Sequence, residues 1–189
     1  MSGIPHYFIA IQLSEAIQEY FSNWEGELKQ RLPYKQWTTK QDLHITLKFL
    51  GPVDDNKLST LKSELANNLN DIAKISILVG TIGTFGKPDR PRVLFADVQK
   101  TSSLLNLQKN VEKSAGNAGF IKEKRPYKPH ITLAKKWNGE ENQRFSELLD
   151  VQDKKYRELQ SMLIEEVVLF KIHPEQNPKY EIIDRYILK

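Results

Sequence analysis

Cysteine is absent from this 189-residue chain. Its absence excludes a disulfide framework, a thiolate metal site and a cysteine nucleophile together, leaving histidine and carboxylates as the only ligands a metal could find. No apolar run approaches the roughly 18 residues of a membrane span. The opening, Met1 to Ile11, lacks a basic leader and has no small-residue cleavage pattern after its short apolar run, so a cytoplasmic protein is expected. Low-complexity stretches are missing too, and a hydrophobic fraction of 39% is that of a globular chain. Nor is there an acidic excess. Lys and Arg number 28 against 24 Asp and Glu, and the resulting net charge of +4 leans mildly toward an anionic partner. A chain of this length can bury one generous core or two small lobes.

What is present is a repeat. His44-Ile45-Thr46-Leu47-Lys48-Phe49-Leu50-Gly51 returns far down the chain as His130-Ile131-Thr132-Leu133-Ala134-Lys135-Lys136, and the two copies place two of the four histidines in the same slot. Each copy reads as a strand. Alternation sends Ile45, Leu47 and Phe49 inward with Ile131 and Leu133, and turns His44, Thr46, Lys48, His130, Thr132 and Lys136 to the other face. Lys135 falls on the inward parity unless a bulge re-aims it. Two imidazoles displayed on strands with apolar backs can meet across a cleft as an acid and a base.

The rest of the chain alternates strands and helices. His6 to Leu13 reads as a strand, Ser14 as the cap of a helix running to about Arg31, and Trp37-Thr38 as a short edge piece before the turn at Lys40-Gln41-Asp42. Asp54 caps a helix with the stripe Leu58, Leu61, Leu65 and Leu69. Ile75 to Phe85, bent at Gly80 or Gly83, and Arg92 to Val98 form a hairpin. A third helix starts at Thr101 or Ser102, and Lys122 to Pro129 is extended and cationic. Glu140 to Leu149 is expected as a short helix, Asp150 to Glu158 as a mobile charged loop, and Met162 to Lys171 and Tyr180 to Leu188 as two closing strands. The pattern is α+β.

The two motifs resemble the paired HxTx signatures of the two-histidine phosphoesterases, and within them the RNA 2′,3′-cyclic phosphodiesterases once described as 2′-5′ RNA ligases. The likeness extends to His6-Tyr7-Phe8-Ile9-Ala10-Ile11, to Arg92-Val93-Leu94-Phe95-Ala96 and to Arg125-Pro126-Tyr127-Lys128-Pro129, so it spans nearly the whole chain. The resemblance implies a single domain over 1–189 with two pseudo-symmetric lobes, antiparallel sheets flanked by helices around a central cleft. It also implies His44 as the proton donor to the leaving 3′ oxygen, His130 as the proton acceptor from water, and a 2′-phosphate product end. One departure stands out: that family usually carries Arg where this chain has Lys135, and Lys lacks the planar bidentate fork.

The chemistry suits the residues. Opening a cyclic phosphate needs a proton removed from water and one delivered to the departing oxygen, from opposite walls of the site, and imidazole does both near neutrality. Thr46 and Thr132 can donate to non-bridging oxygens. Lys48, Arg92, Arg125 and Lys136 are candidate cations for RNA phosphates, and Tyr127 is a candidate for stacking on a base or for packing. His6 and His173 have no motif partner. His-x-Thr lacks common metal-ligand spacing, so no metal and no cofactor are expected. The partner expected is RNA with a cyclic phosphate end, met by a monomer. The competing readings are a cyclic phosphodiesterase of small nucleotides or of an ADP-ribose-derived cyclic phosphate, and a noncatalytic RNA-end binding module.

Overall fold

The computed structural model describes residues 4–189; residues 1–3, on which the reading of the opening segment partly rests, lie outside that range. Among the described residues the order is β1 (His6–Gln12), α1 (Glu15–Leu28), β2 (Tyr34–Trp37), β3 (His44–Pro52), α2 (Asp55–Leu69), β4 (Ile75–Gly86), β5 (Pro91–Val98), α3 (Ser102–Asn117), β6 (His130–Trp137), α4 (Phe145–Leu148), β7 (Leu159–Ile164), β8 (Glu166–Ile172) and β9 (Tyr180–Ile187). Every strand pairing is antiparallel. The fold is α+β, as expected. No described helix is long and apolar enough to cross a membrane.

The strands follow the path β7-β4-β5-β6-β3-β1-β8-β9, with β2 added beside β6. Five strands, β2 among them, lie on the β6 side of the β6-β3 junction and four on the β3 side, and that junction is a single ladder pair, Ile45 with Ile131. The two expected lobes are therefore the halves of one hydrogen-bonded sheet, hinged where the two motifs touch. Each half has its own helical cover. α2 packs on α3, with α2 reaching β9 and α3 reaching β3. α1 turns to the other half, where Trp24 meets Tyr156 edge-on at 5.4 Å and Lys29 lies over the Trp37 ring of β2.

Local chemistry explains the helices. Ile17, Phe21, Trp24 and Leu28 recur at helical spacing and are buried on α1, as are Leu61, Leu65 and Leu69 on α2. Asp54 accepts the Lys57 amide at 2.9 Å and Thr101 accepts that of Leu104 at 3.2 Å. Each such cap contributes about 1 kcal/mol.

Three expectations are corrected. The helix expected over 140–149 shrinks to Phe145–Leu148. The segment 150–158 is ordered: the Asp153 carboxylate accepts the Lys155 amide, starting a 3-10 turn whose Tyr156 is only 2% exposed. The run Met162 to Lys171 is two strands, because β7 pairs with β4 and β8 with β1, and the chain changes halves at Glu165. An unbroken apolar run conceals that crossover, since both strands bury residues on either side of it.

Candidate active site

β3 and β6 carry the motifs, and their shared pair Ile45 and Ile131 is fully buried. In an antiparallel ladder the residues on either side of such a pair turn to the opposite face, so His44 stands across from Thr132 and Thr46 across from His130. The two histidines are diagonal neighbours, a relation that puts backbones about 7–8 Å apart. All four polar groups thus surround one space.

Each imidazole is held the same way. Nδ1 of His44 lies 2.7 Å from the Asp42 carbonyl, and Nδ1 of His130 lies 2.7 Å from the Lys128 carbonyl. A carbonyl only accepts, so Nδ1 carries the proton and the Nε2 lone pair is left for chemistry. The Thr46 hydroxyl sits 3.0 Å from His44 Nε2 and donates to it in the neutral state. Once Nε2 is protonated, that hydroxyl proton must turn elsewhere, and a phosphate oxygen is an acceptor for it.

Apolar rings wall both imidazoles. Phe8, Phe170 and Tyr180 surround His44 at 4.8, 6.2 and 5.3 Å between centroids, while Phe85 and Phe95 flank His130 at 4.9 and 5.3 Å. Burial disfavours the imidazolium, and the charges of Lys135 and of His130 add to it, so His44 is pushed down to about 4 despite its bond to the Asp42 carbonyl. His130 is lowered as well, first by burial, with the Lys128 carbonyl, its largest opposing influence, pulling the other way. Lys135 lowers it further, whereas Asp97, its ladder partner on β5, raises it. The charge of Lys135 thus bears on both rings, and that of His130 on His44.

A bulge in each motif strand rewrites the expected parity. Along β3 the partners pass from Ala10 with Thr46 to Ile9 with Lys48, so Leu47 is an extra residue. Along β6 they pass from Phe95 with Thr132 to Leu94 with Ala134, so Leu133 is extra. Leu47 and Lys48 both point to the core side, as do Leu133 and Ala134. Lys48, expected beside the histidines, is instead buried and donates to Glu112 at 2.9 and 3.0 Å and to the Ile121 carbonyl at 3.0 Å. Phe49, expected in the core, is 61% exposed. Lys135 pairs with Val93, two residues from the Phe95 that flanks His130, and so joins the histidine face. Phe49 and Lys135 occupy equivalent positions in the two copies.

The remaining candidates are scattered. Arg92 lies exposed at the end of β5 remote from Asp97. Arg125 is exposed and its guanidinium is engaged by Glu123. The Tyr127 hydroxyl donates to the Thr46 carbonyl at 3.0 Å, bracing β3 against the lead-in to β6. Lys136 is exposed with φ of 64°, and its charge, with that of Lys179, adds to the burial that lowers Lys135. Sequence reasoning missed Asp42, Tyr180 and the flanking phenylalanines as site residues, none of which lies in a repeat; Phe8 and Phe95 stood only within strand segments that share the family likeness.

The comparisons agree with this architecture. Residues 5–188 match the model of the AKAP7 2′5′ RNA ligase-like domain. A Bacillus subtilis protein named RNA 2′,3′-cyclic phosphodiesterase is 36% identical over 184 residues, covering 97% of each chain. One of the same name from Geobacillus stearothermophilus is 33% identical over 97% of this chain, which spans 57% of that longer protein. The crystal structure of Escherichia coli LigT complexed with 3′-AMP superposes with a TM-score of 0.78 at 21% identity, covering 98% of this chain and 99% of that one. With its fold, its repeat and its relatives in accord, the chain belongs to the two-histidine phosphoesterases, in the 2′5′ RNA ligase-like family.

Proposed function

We propose that the protein, acting as a cytoplasmic monomer and a single 1–189 unit, hydrolyses 2′,3′-cyclic phosphate ends of RNA to 2′-phosphate ends without a metal. The observation that carries this is the pair of imidazoles on adjacent strands, each with Nδ1 tied to the carbonyl two residues back. His44 is the donor to the 3′ oxygen and His130 the acceptor from water. Their surroundings support that division. A more depressed imidazolium is the stronger acid, and the Asp97 carboxylate beside His130 makes it the better base of the two. Thr46, Thr132 and Lys135 hold the non-bridging oxygens, and Phe49 offers an exposed ring to a base. The names borne by the relatives support the substrate class.

The test is incubation of a defined oligoribonucleotide bearing a cyclic phosphate, with and without a chelator, followed by mass and phosphatase analysis of the end. A 2′-phosphate formed equally in both is expected. His44→Ala and His130→Ala should each lose about 10²- to 10⁴-fold in kcat while remaining folded by circular dichroism. A folded His44→Ala protein of near-normal rate would contradict the assignment, and binding of the end without turnover would favour the noncatalytic module.

A further inference from the structure

The connection between β8 and β9 is docked onto the segment that precedes the first motif. Asp42, a carboxylate only 4% exposed, accepts the Lys179 amide at 2.9 and 3.1 Å and the Tyr180 amide at 3.2 Å. The Thr39 hydroxyl donates to Asn177 Oδ1 at 2.8 Å, a second tie between the same two segments. A buried carboxylate without a cation must be satisfied by such amides, and breaking the clasp would strand it. The clasp has two consequences at the site. It seats the Tyr180 ring against His44 and Phe8. It also holds the backbone of Lys179, an exposed residue, against Asp42, two residues before His44.

The charges of Lys179 and Lys136 both bear on Lys135, and among the described residues none of the three lies in an ion pair. Like charges held together without a counter-charge are unfavourable, and a bound anion relieves that cost. A cyclic phosphate carries one negative charge, which the two imidazoles, two threonines and Lys135 already surround. The additional cation calls for a second phosphate. Resting on the proposed phosphodiesterase reading, we propose that Lys179, presented by the Asp42-clasped connection, binds the phosphodiester 5′ to the cyclic end, so that the site selects oligonucleotide ends over mononucleotides. Asp42 is then a positioning residue twice over: its carbonyl orients His44 and its carboxylate holds Lys179 and Tyr180 in place.

The experiment compares kcat/KM on a tetraribonucleotide and on a mononucleoside, both ending in a 2′,3′-cyclic phosphate. For Lys179→Ala the ratio of the two values should fall about tenfold, as expected for loss of one charge-assisted phosphate contact, and the salt dependence on the tetranucleotide should weaken by about one ion. Lys179→Arg should restore the ratio. Asp42→Asn, which turns an amide N–H toward two amide donors, should lower the same ratio and also alter the pH profile through His44. An unchanged ratio in Lys179→Ala, or equal losses on both substrates, would overturn the proposal while leaving the phosphodiesterase reading intact. Wild-type protein inert on both substrates would overturn that reading, and the proposal with it.

Discussion

At the scale of single residues, the environment of His44 matters more than its identity. An imidazole pushed down to about 4 is almost wholly neutral at pH 7, so the free protein holds the proposed proton donor in its unprotonated form. A phosphate anion seated between the rings stabilises the imidazolium and raises that value, coupling substrate binding to proton uptake. The sign of the consequence is definite. On the proposed mechanism the competent form has His44 protonated and His130 neutral, and its population peaks between two values that both lie below 6.5. For the free enzyme, kcat/KM should therefore be bell-shaped with a maximum on the acid side of pH 6.5, and the kcat profile of the complex should be displaced upward. Coincident profiles centred above pH 7 would contradict this. His44, Thr46, His130 and Thr132 were legible in the sequence, because strict alternation holds from the histidine to the threonine. Lys48 and Phe49 were misread because the bulges fall one residue later, and the face of Lys135 turned on a bulge that nothing in Thr-Leu-Ala announces.

Elements do the positioning. β3 is tied to the segment between α3 and β6 at two points, Lys48 to the Ile121 carbonyl and the Thr46 carbonyl to Tyr127. That stretch delivers the Lys128 carbonyl that orients His130. The Lys48–Glu112 pair is a buried clamp between β3 and α3, with side chains 4% and 11% exposed, so removing one partner leaves a stranded charge. Lys48→Met should cost about 3–5 kcal/mol by urea denaturation, and pairing it with Glu112→Leu should recover part of that loss. A cost below about 1 kcal/mol would show that water reaches the pair. The helices were readable because their stripes and caps are local, as with Asp54 and Thr101. The division at Glu165 and the anchoring by Tyr156 were not, since each depends on partners distant in sequence: β1 and β4 for the former, Trp24 for the latter.

For the whole molecule, the repeat in the sequence becomes a near two-fold relation in space. A five-stranded half and a four-stranded one, each with its own helical cover, meet at Ile45 and Ile131, and the chain crosses between them repeatedly instead of completing one before the other. The repeat suggested two lobes, but pairing order is not a local property and alternation alone does not contain it. The relation is approximate around the two histidines. Gln12 pairs with His44 where Asp97 pairs with His130, and Phe49 stands where the other copy has Lys135. Two similar histidines are thereby given different surroundings.

The most direct test is ring ¹⁵N NMR of His44 and His130 during titration with a nucleoside 2′-monophosphate, a product analogue that needs no turnover. The expected result is that both Nε2 resonances move with one dissociation constant, while the His44 titration midpoint rises from its value near 4. Movement of one ring alone, or of the two with separate affinities, would mean that they do not share a phosphate.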